Sequence, residues 1–172
     1  MFSVQFTSKP FDRVATECLV VLCPEEIRPL QNEGALVDWR LNGRLSQVIL
    51  QNRFVGKYGE TLLIPSEARI KSSEILVVGL GKVGELTEGQ WQGLLKNIFK
   101  TLTQKKTKDI TLCLSPLFAD KFEWRNNVRY VVSLRHDYPS IEVLRFAEPP
   151  DFVDEAKRRH MDFGLNVEVE FE

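Results

Sequence analysis

No apolar run in these 172 residues approaches the roughly 18 needed to cross a membrane as a helix. The amino terminus, Met-Phe-Ser-Val-Gln-Phe, alternates as a strand does and lacks the charged and apolar regions of a signal peptide. Neither sign of charge prevails. Lys and Arg number 23 against 24 Asp and Glu, a net charge of −1, so no global field draws nucleic acid or an anionic membrane. Cysteine is scarce, and Cys18, Cys23 and Cys113 show no C-x-x-C spacing. That excludes a disulfide framework and leaves reduced core thiols of a cytoplasmic protein. No serine stands in a G-x-S-x-G elbow, and no cysteine has a basic neighbour to lower its pKa. The two histidines, His136 and His160, each follow an arginine in a helical context and read as surface residues at helix ends. Internal repeats, low-complexity tracts and domain-sized linkers are absent too, so residues 1–172 read as a single domain with ample length for a core.

What is present argues against disorder, with 43% hydrophobic and 10% aromatic residues. The chain is organised around the stretch from Gly56 to Leu102. Thr61 to Ile64 and Ile75 to Val78 are apolar runs of strand length, expected to be covered on both faces. Thr87 opens a helix, with Gln90 at the position of a capping-box partner. Trp91, Leu94, Leu95, Ile98, Phe99 and Leu102 then form one continuous apolar stripe.

On the amino-terminal side, Phe2 to Phe6 reads as a half-exposed strand and Cys18 to Cys23 as a central strand stopped by Pro24. Pro24 to Gly34 reads as a loop. Helical periodicity runs from Leu36 to Gln51, with Val37, Leu41, Leu45 and Val48 on one face and Leu36, Trp39 and Leu50 nearly opposite. A helix on a sheet needs one apolar stripe, so the second is either covered by a loop or a neighbouring helix, or is an interface. Tryptophan favours the interface. Further strands are expected at Ile110–Leu114, at Ile141–Phe146 and, as an edge, at Asn166–Phe171. Helices are expected from Glu123 to Arg135 and from Asp151 to Phe163, the last ended by Gly164. Strands alternating with helices predict a three-layer α/β domain with a mixed, mainly parallel sheet flanked by helices.

Gly79, Gly81 and Gly84 spell G-x-G-x-x-G after a strand. A dinucleotide fold needs that loop to run straight into its helix, yet the capped start falls at Thr87. A tight turn or anion loop fits better, and the candidate ligand-binding residues are Gly56, Lys57, Gly59, Gly79, Gly81, Lys82 and Gly84, facing a phosphate-bearing small molecule. Lys96, Lys100, Lys105, Lys106 and Lys108 gather towards the end of the central helix, where cations complement the helix dipole. With few aromatics among them they argue against a nucleic-acid patch.

The strings G-K-Y-G-E and L-L-I-P, then V-V-G-L-G-K and E-L-T at the head of a helix, resemble the N-terminal domain of the leucine aminopeptidase family. Val37-Asp38, Asn42-Gly43, Leu45-Ser46 and Phe54 to Glu60 are similar to the stretch that precedes those strings, and the resemblance covers Cys18 to Leu102. It implies a macro-like domain that is not the catalytic one. The family's metal-binding strings, a glycine-rich lysine-and-aspartate motif and an N-T-D-A-E-G-R-like motif, do not occur, so no cofactor, metal or peptidase activity is implied. The implied role is an interaction or regulatory module, with a second copy or a separate catalytic peptidase subunit as partner. The macro relationship also implies a nucleotide or ADP-ribose-type ligand as the alternative. Glu17 stands where macro domains carry an acid before their second strand, whereas Leu22-Cys23-Pro24-Glu25 lacks their asparagines.

Overall fold

A computed structural model describes residues 2–118, 121–159, 161, 163–164 and 166–172. Seven strands form its sheet: β1 (Phe2–Thr7), β2 (Cys18–Pro24), β3 (Thr61–Pro65), β4 (Glu74–Gly81), β5 (Asp109–Leu112), β6 (Val143–Ala147) and β7 (Val167–Phe171). The helices are α1 (Asn32–Arg40), α2 (Arg44–Leu50), α3 (Glu88–Gln104), α4 (Ser115–Phe118), α5 (Trp124–Ser133) and α6 (Pro150–Arg158). In space the strands run β3-β4-β2-β5-β6-β1-β7. Every pairing is parallel except β3 with β4.

The sheet separates two apolar cores. Val20, Leu22, Leu76 and Val78 turn to one side, where α3 and α5 bring the stripe Trp91, Leu94, Leu95, Ile98, Phe99 and Leu102 together with Val128 and Val131. Leu19, Val21, Ile75 and Val77 turn to the other, against Val37, Leu41, Leu45 and Phe54. This two-sided burial is why β2 and β4 read as unbroken apolar runs. The rest of that second face is polar: Arg145 reaches Thr111 (3.3 Å) and Gln5 (2.8 Å), and Gln5 donates to Glu170 (2.8 Å), a ladder across β5, β6, β1 and β7.

The capping box of α3 is present, with the Gln90 amide donating to the Thr87 hydroxyl and the Thr87 amide to the Gln90 side chain. Cys18, Cys23 and Cys113 are buried free thiols.

Several expectations need correction. The helix expected from Leu36 to Gln51 is two helices, because Asn42 and Gly43 take left-handed conformations (φ 56° and 75°) that glycine tolerates and that end α1. Asp38 then accepts from the Ser46 amide and hydroxyl and fixes the start of α2. The run Thr61 to Ile64 is not covered on both faces. It is the antiparallel edge strand β3, buried at Ile64 and exposed at Thr61 and Leu63. Strand β1, expected to be half-exposed, lies inside the sheet between β6 and β7, and its outward residues Ser3 and Gln5 are partly covered. Strand β2 does end at Pro24, which is its last residue and lies at a register shift. The helix expected to reach Phe163 ends at Arg158, since Lys157, Arg158 and Arg159 offer it no further apolar face. His136 is exposed at the end of a 3-10 turn, and His160 lies outside the described residues.

Candidate functional site

Five of the seven candidate binding residues, Gly56, Lys57, Gly59, Gly79 and Gly81, come together at the end of the sheet where β2 and β4 finish, while Lys82 and Gly84 follow at and within the 3-10 turn Val83–Glu85. The turn 56–60 lies directly across Gly79. A Cβ on Gly79 would stand 2.1 Å from the Lys57 carbonyl oxygen, so only glycine permits this approach. The amide of Gly79 donates to the Glu60 carbonyl (2.7 Å), that of Gly59 to the Gly79 carbonyl (3.1 Å), and that of Gly81 to the Gly56 carbonyl (2.8 Å).

One carboxylate oxygen of Glu60 accepts from the amides of Val55 (3.0 Å), Gly56 (2.9 Å) and Lys57 (3.1 Å). A cradle of convergent backbone amides is an anion site in general; here the anion is the chain's own Glu60. Glu26 accepts likewise from the Val83 amide (2.9 Å), and Lys121 donates to the carbonyls of Val83 (2.6 Å) and Gly84 (2.9 Å). Lys82 is exposed beside Glu85, and the Tyr58 hydroxyl ties the turn to α3 at the Gln90 carbonyl (2.9 Å). The amides of Gly56, Lys57, Gly59, Gly79 and Gly81 thus already have acceptors within the chain. Glu60 was visible as the last letter of G-K-Y-G-E, but its role depends on a fold-back that spacing does not reveal.

Glu17, set at the other end of β2, accepts from the amides of Lys108 (2.6 Å) and Asp109 (3.3 Å) and so caps the start of β5. In the lysine cluster, Lys105 pairs with Glu74 (3.1 Å) and Lys108 with Glu142 (2.6 Å). Among the described residues, no group of three or more His, Cys, Asp or Glu is placed to hold a metal ion.

Sequence reasoning missed Glu148, which follows β6 and is buried. Its carboxyl accepts from the amides of Leu114 (2.7 Å) and Ser115 (3.1 Å), and the Cys113 thiol lies 3.5 Å away. The Trp124 indole and the Ser115 hydroxyl approach it without closing well-formed hydrogen bonds. Burial outweighs these donors and pushes the Glu148 pKa up. It does the same to Glu33, and the Cys113 thiol, desolvated between the two carboxyls, is pushed up as well. A carboxyl raised in this way holds its proton more tightly in the folded protein. Its stabilisation is complete below the unfolded-state value, about 4.3, and is lost as the pH climbs through the folded value. Wild type is therefore expected to lose stability relative to Glu148→Gln as the pH rises from 4 to 8 in urea titrations. Parallel stability curves for the two would show that Glu148 ionises as freely in the folded chain as in the unfolded one.

The three interface candidates separate. Leu36 packs partly against the second core, whereas Trp39, near the end of α1, is 67% exposed and Leu50, the last residue of α2, is 83% exposed. The Arg40 guanidinium sits 4.8 Å from the centre of the Trp39 ring, which braces the indole in its exposed position.

Residues 20–133 match the family model of the cytosol aminopeptidase family, N-terminal domain. A probable cytosol aminopeptidase of Buchnera aphidicola is 30% identical over 133 residues, 77% of this chain and 26% of the relative. The cytosol aminopeptidase of Haemophilus influenzae is 26% identical over 118 residues, 69% of this chain and 24% of the relative. The chain thus spans about a quarter of the length of the curated relatives it matches. Among solved structures, a tomato leucine aminopeptidase mutant aligns with TM-score 0.63 at 14% identity, covering 93% of this chain and 35% of that one. The macrodomain of Mycobacterium tuberculosis DarG aligns with TM-score 0.68 at 11% identity, over 86% of this chain and 97% of that one. A Trypanosoma brucei macrodomain in complex with ADP-ribose aligns with TM-score 0.67 at 16% identity, over 90% and 66%. At these identities the structural likeness establishes a macro-like fold and no more.

Proposed function

The chain belongs to the cytosol aminopeptidase family through that family's N-terminal domain, and from this premise we propose that it is a non-catalytic interaction module. On this reading residues 1–172 are one domain, working in the cytoplasm as the relatives' name suggests, and its role is to bind another polypeptide. The observation that carries the proposal lies on α1 and α2. A tryptophan and a leucine stand there in solvent, 67% and 83% exposed among the described residues. Exposed apolar anchors of this kind are what partners bury, and tryptophan is enriched among the residues that dominate binding energy. The occupant is a second copy of the chain, which a two-fold axis beside Trp39 would bring face to face.

A second reading places a catalytic peptidase subunit on the same face. It is favoured by the curated relatives, named aminopeptidases, which are about four times as long as the segment matched here. Nucleotide binding at the two glycine turns is the weaker alternative, because those amides already hold Glu60 and backbone carbonyls.

The non-catalytic part is tested by incubating the purified protein with leucine p-nitroanilide and excess Mn²⁺ or Zn²⁺. The expected result is no turnover above buffer. Reproducible hydrolysis that a chelator abolishes would overturn it.

A further inference from the structure

At the end of the sheet away from the glycine turns lies a cleft that neither the interface nor the turns account for. It opens between the 3-10 turn Phe11–Arg13, the last turn of α1 and the loop 66–73, and its volume is about 810 Å³. That is the size range of small-molecule sites. We propose that this cleft binds a polyphosphate-bearing small molecule.

Four cations line it: Arg13, Arg40, Arg69 and Lys71. Arg40 is fixed by Asp12, to which its Nε donates. Arg13, Arg69 and Lys71 have no ion-pair partner within 4 Å among the described residues. The one acid of the loop, Glu67, is engaged by Arg44 at 2.6 Å. The loop itself is built. Ile70 anchors it in the second core, and Ser66 bonds through its amide to the Ser73 carbonyl (3.2 Å) and through its carbonyl to the Arg69 amide (3.0 Å). Ser72, only 2% exposed in the cleft wall, has no hydrogen-bond partner for its hydroxyl among the described residues.

Guanidinium groups offer planar forks of donors that match phosphate oxygens, and a lysine adds a point charge. Three cations without an ion-pair partner within 4 Å in one cleft, against the single lining acid Asp12, call for a ligand with several negative charges close together. The lining has no aromatic ring for a base to stack on, and the cations are gathered in one place instead of lying along a stripe. Both features favour a compact polyanion over a nucleic-acid strand.

Calorimetry with inorganic tripolyphosphate at low ionic strength tests the assignment. Wild type is expected to bind, and Arg69→Ala/Lys71→Ala to bind at least tenfold more weakly with unchanged circular dichroism, because both side chains are exposed. A control pair on α3, Lys96→Ala/Lys100→Ala, should stay within twofold of wild type. No heat at millimolar tripolyphosphate would overturn the proposal. So would equal weakening by both double variants, or binding of duplex DNA without binding of tripolyphosphate.

Discussion

Gly79→Ala is expected to lower the stability of the protein by on the order of 3–5 kcal/mol, the largest effect of a Gly→Ala change in it. The new Cβ would stand 2.1 Å from the Lys57 carbonyl oxygen and 2.7 Å from the Gly56 carbonyl carbon, and both are backbone atoms that no rotamer change can move aside. To relieve the clash, the turn 56–60 must lift from the ends of β2 and β4. That breaks the bonds from Gly79 to Glu60, from Gly59 to Gly79 and from Gly81 to Gly56. Each is worth about 0.5–1.5 kcal/mol net, and overpacking adds about 1–3 kcal/mol. Gly84→Ala is the control: no atom lies within 4 Å of its added Cβ, so its urea midpoint should stay within about 0.5 kcal/mol of wild type. Equal midpoints for the two variants would mean that the turn does not sit on Gly79.

Trp91→Ala should cost a similar amount, about 3–5 kcal/mol, for a different reason. Trp91 is the largest fully buried side chain of the α3 stripe, and its ring packs 4.6 Å from that of Phe118. Its indole N–H donates to Asn127 Oδ1 at 2.5 Å. Truncation opens a cavity between α3 and α5 and leaves the Asn127 oxygen buried without a donor. Trp91→Phe separates the two contributions. It keeps an aromatic ring against Phe118 and removes the N–H, and it should cost only about 1–3 kcal/mol. If Trp91→Phe were as damaging as Trp91→Ala in urea denaturation, the hydrogen bond and not the packing would hold the two helices together.

Trp91 also shows what could be read before any coordinates were known. The α3 stripe has a strict helical period and a complete capping box, both local features, and the structure reproduces them residue for residue. Strands β2 and β4 were legible because burial on both faces leaves an unbroken apolar run. Strand β3 has the same kind of run but lies at the edge of the sheet, and nothing local distinguishes the two situations. The break between α1 and α2 was signalled by Asn42-Gly43, yet the apolar residues on either side keep helical spacing through the turn and hide it. The candidate binding turns were located as a group, but their state was not legible. Whether an amide faces solvent or the carboxylate of Glu60 is decided by how the chain folds back on itself. Glu148 was invisible for the same reason: its burial is created by α4 and α5, which follow β5 and lie more than ten residues away in sequence. The basic cleft draws on Arg13, Arg40, Arg69 and Lys71, four positions that form no pattern along the chain.

The proposed interface on α1 and α2 is where the fold and the proposed function meet. Sedimentation velocity of wild type and of Trp39→Ala/Leu50→Ser, over a hundredfold range of concentration, tests it most directly. Both replaced side chains are exposed, so the variant should keep its circular dichroism and its stability to within about 0.5 kcal/mol per site. Wild type is predicted to associate reversibly as its concentration rises, and the variant to remain a monomer throughout. A wild type that stays monomeric at every concentration, sedimenting just as the variant does, would contradict the account.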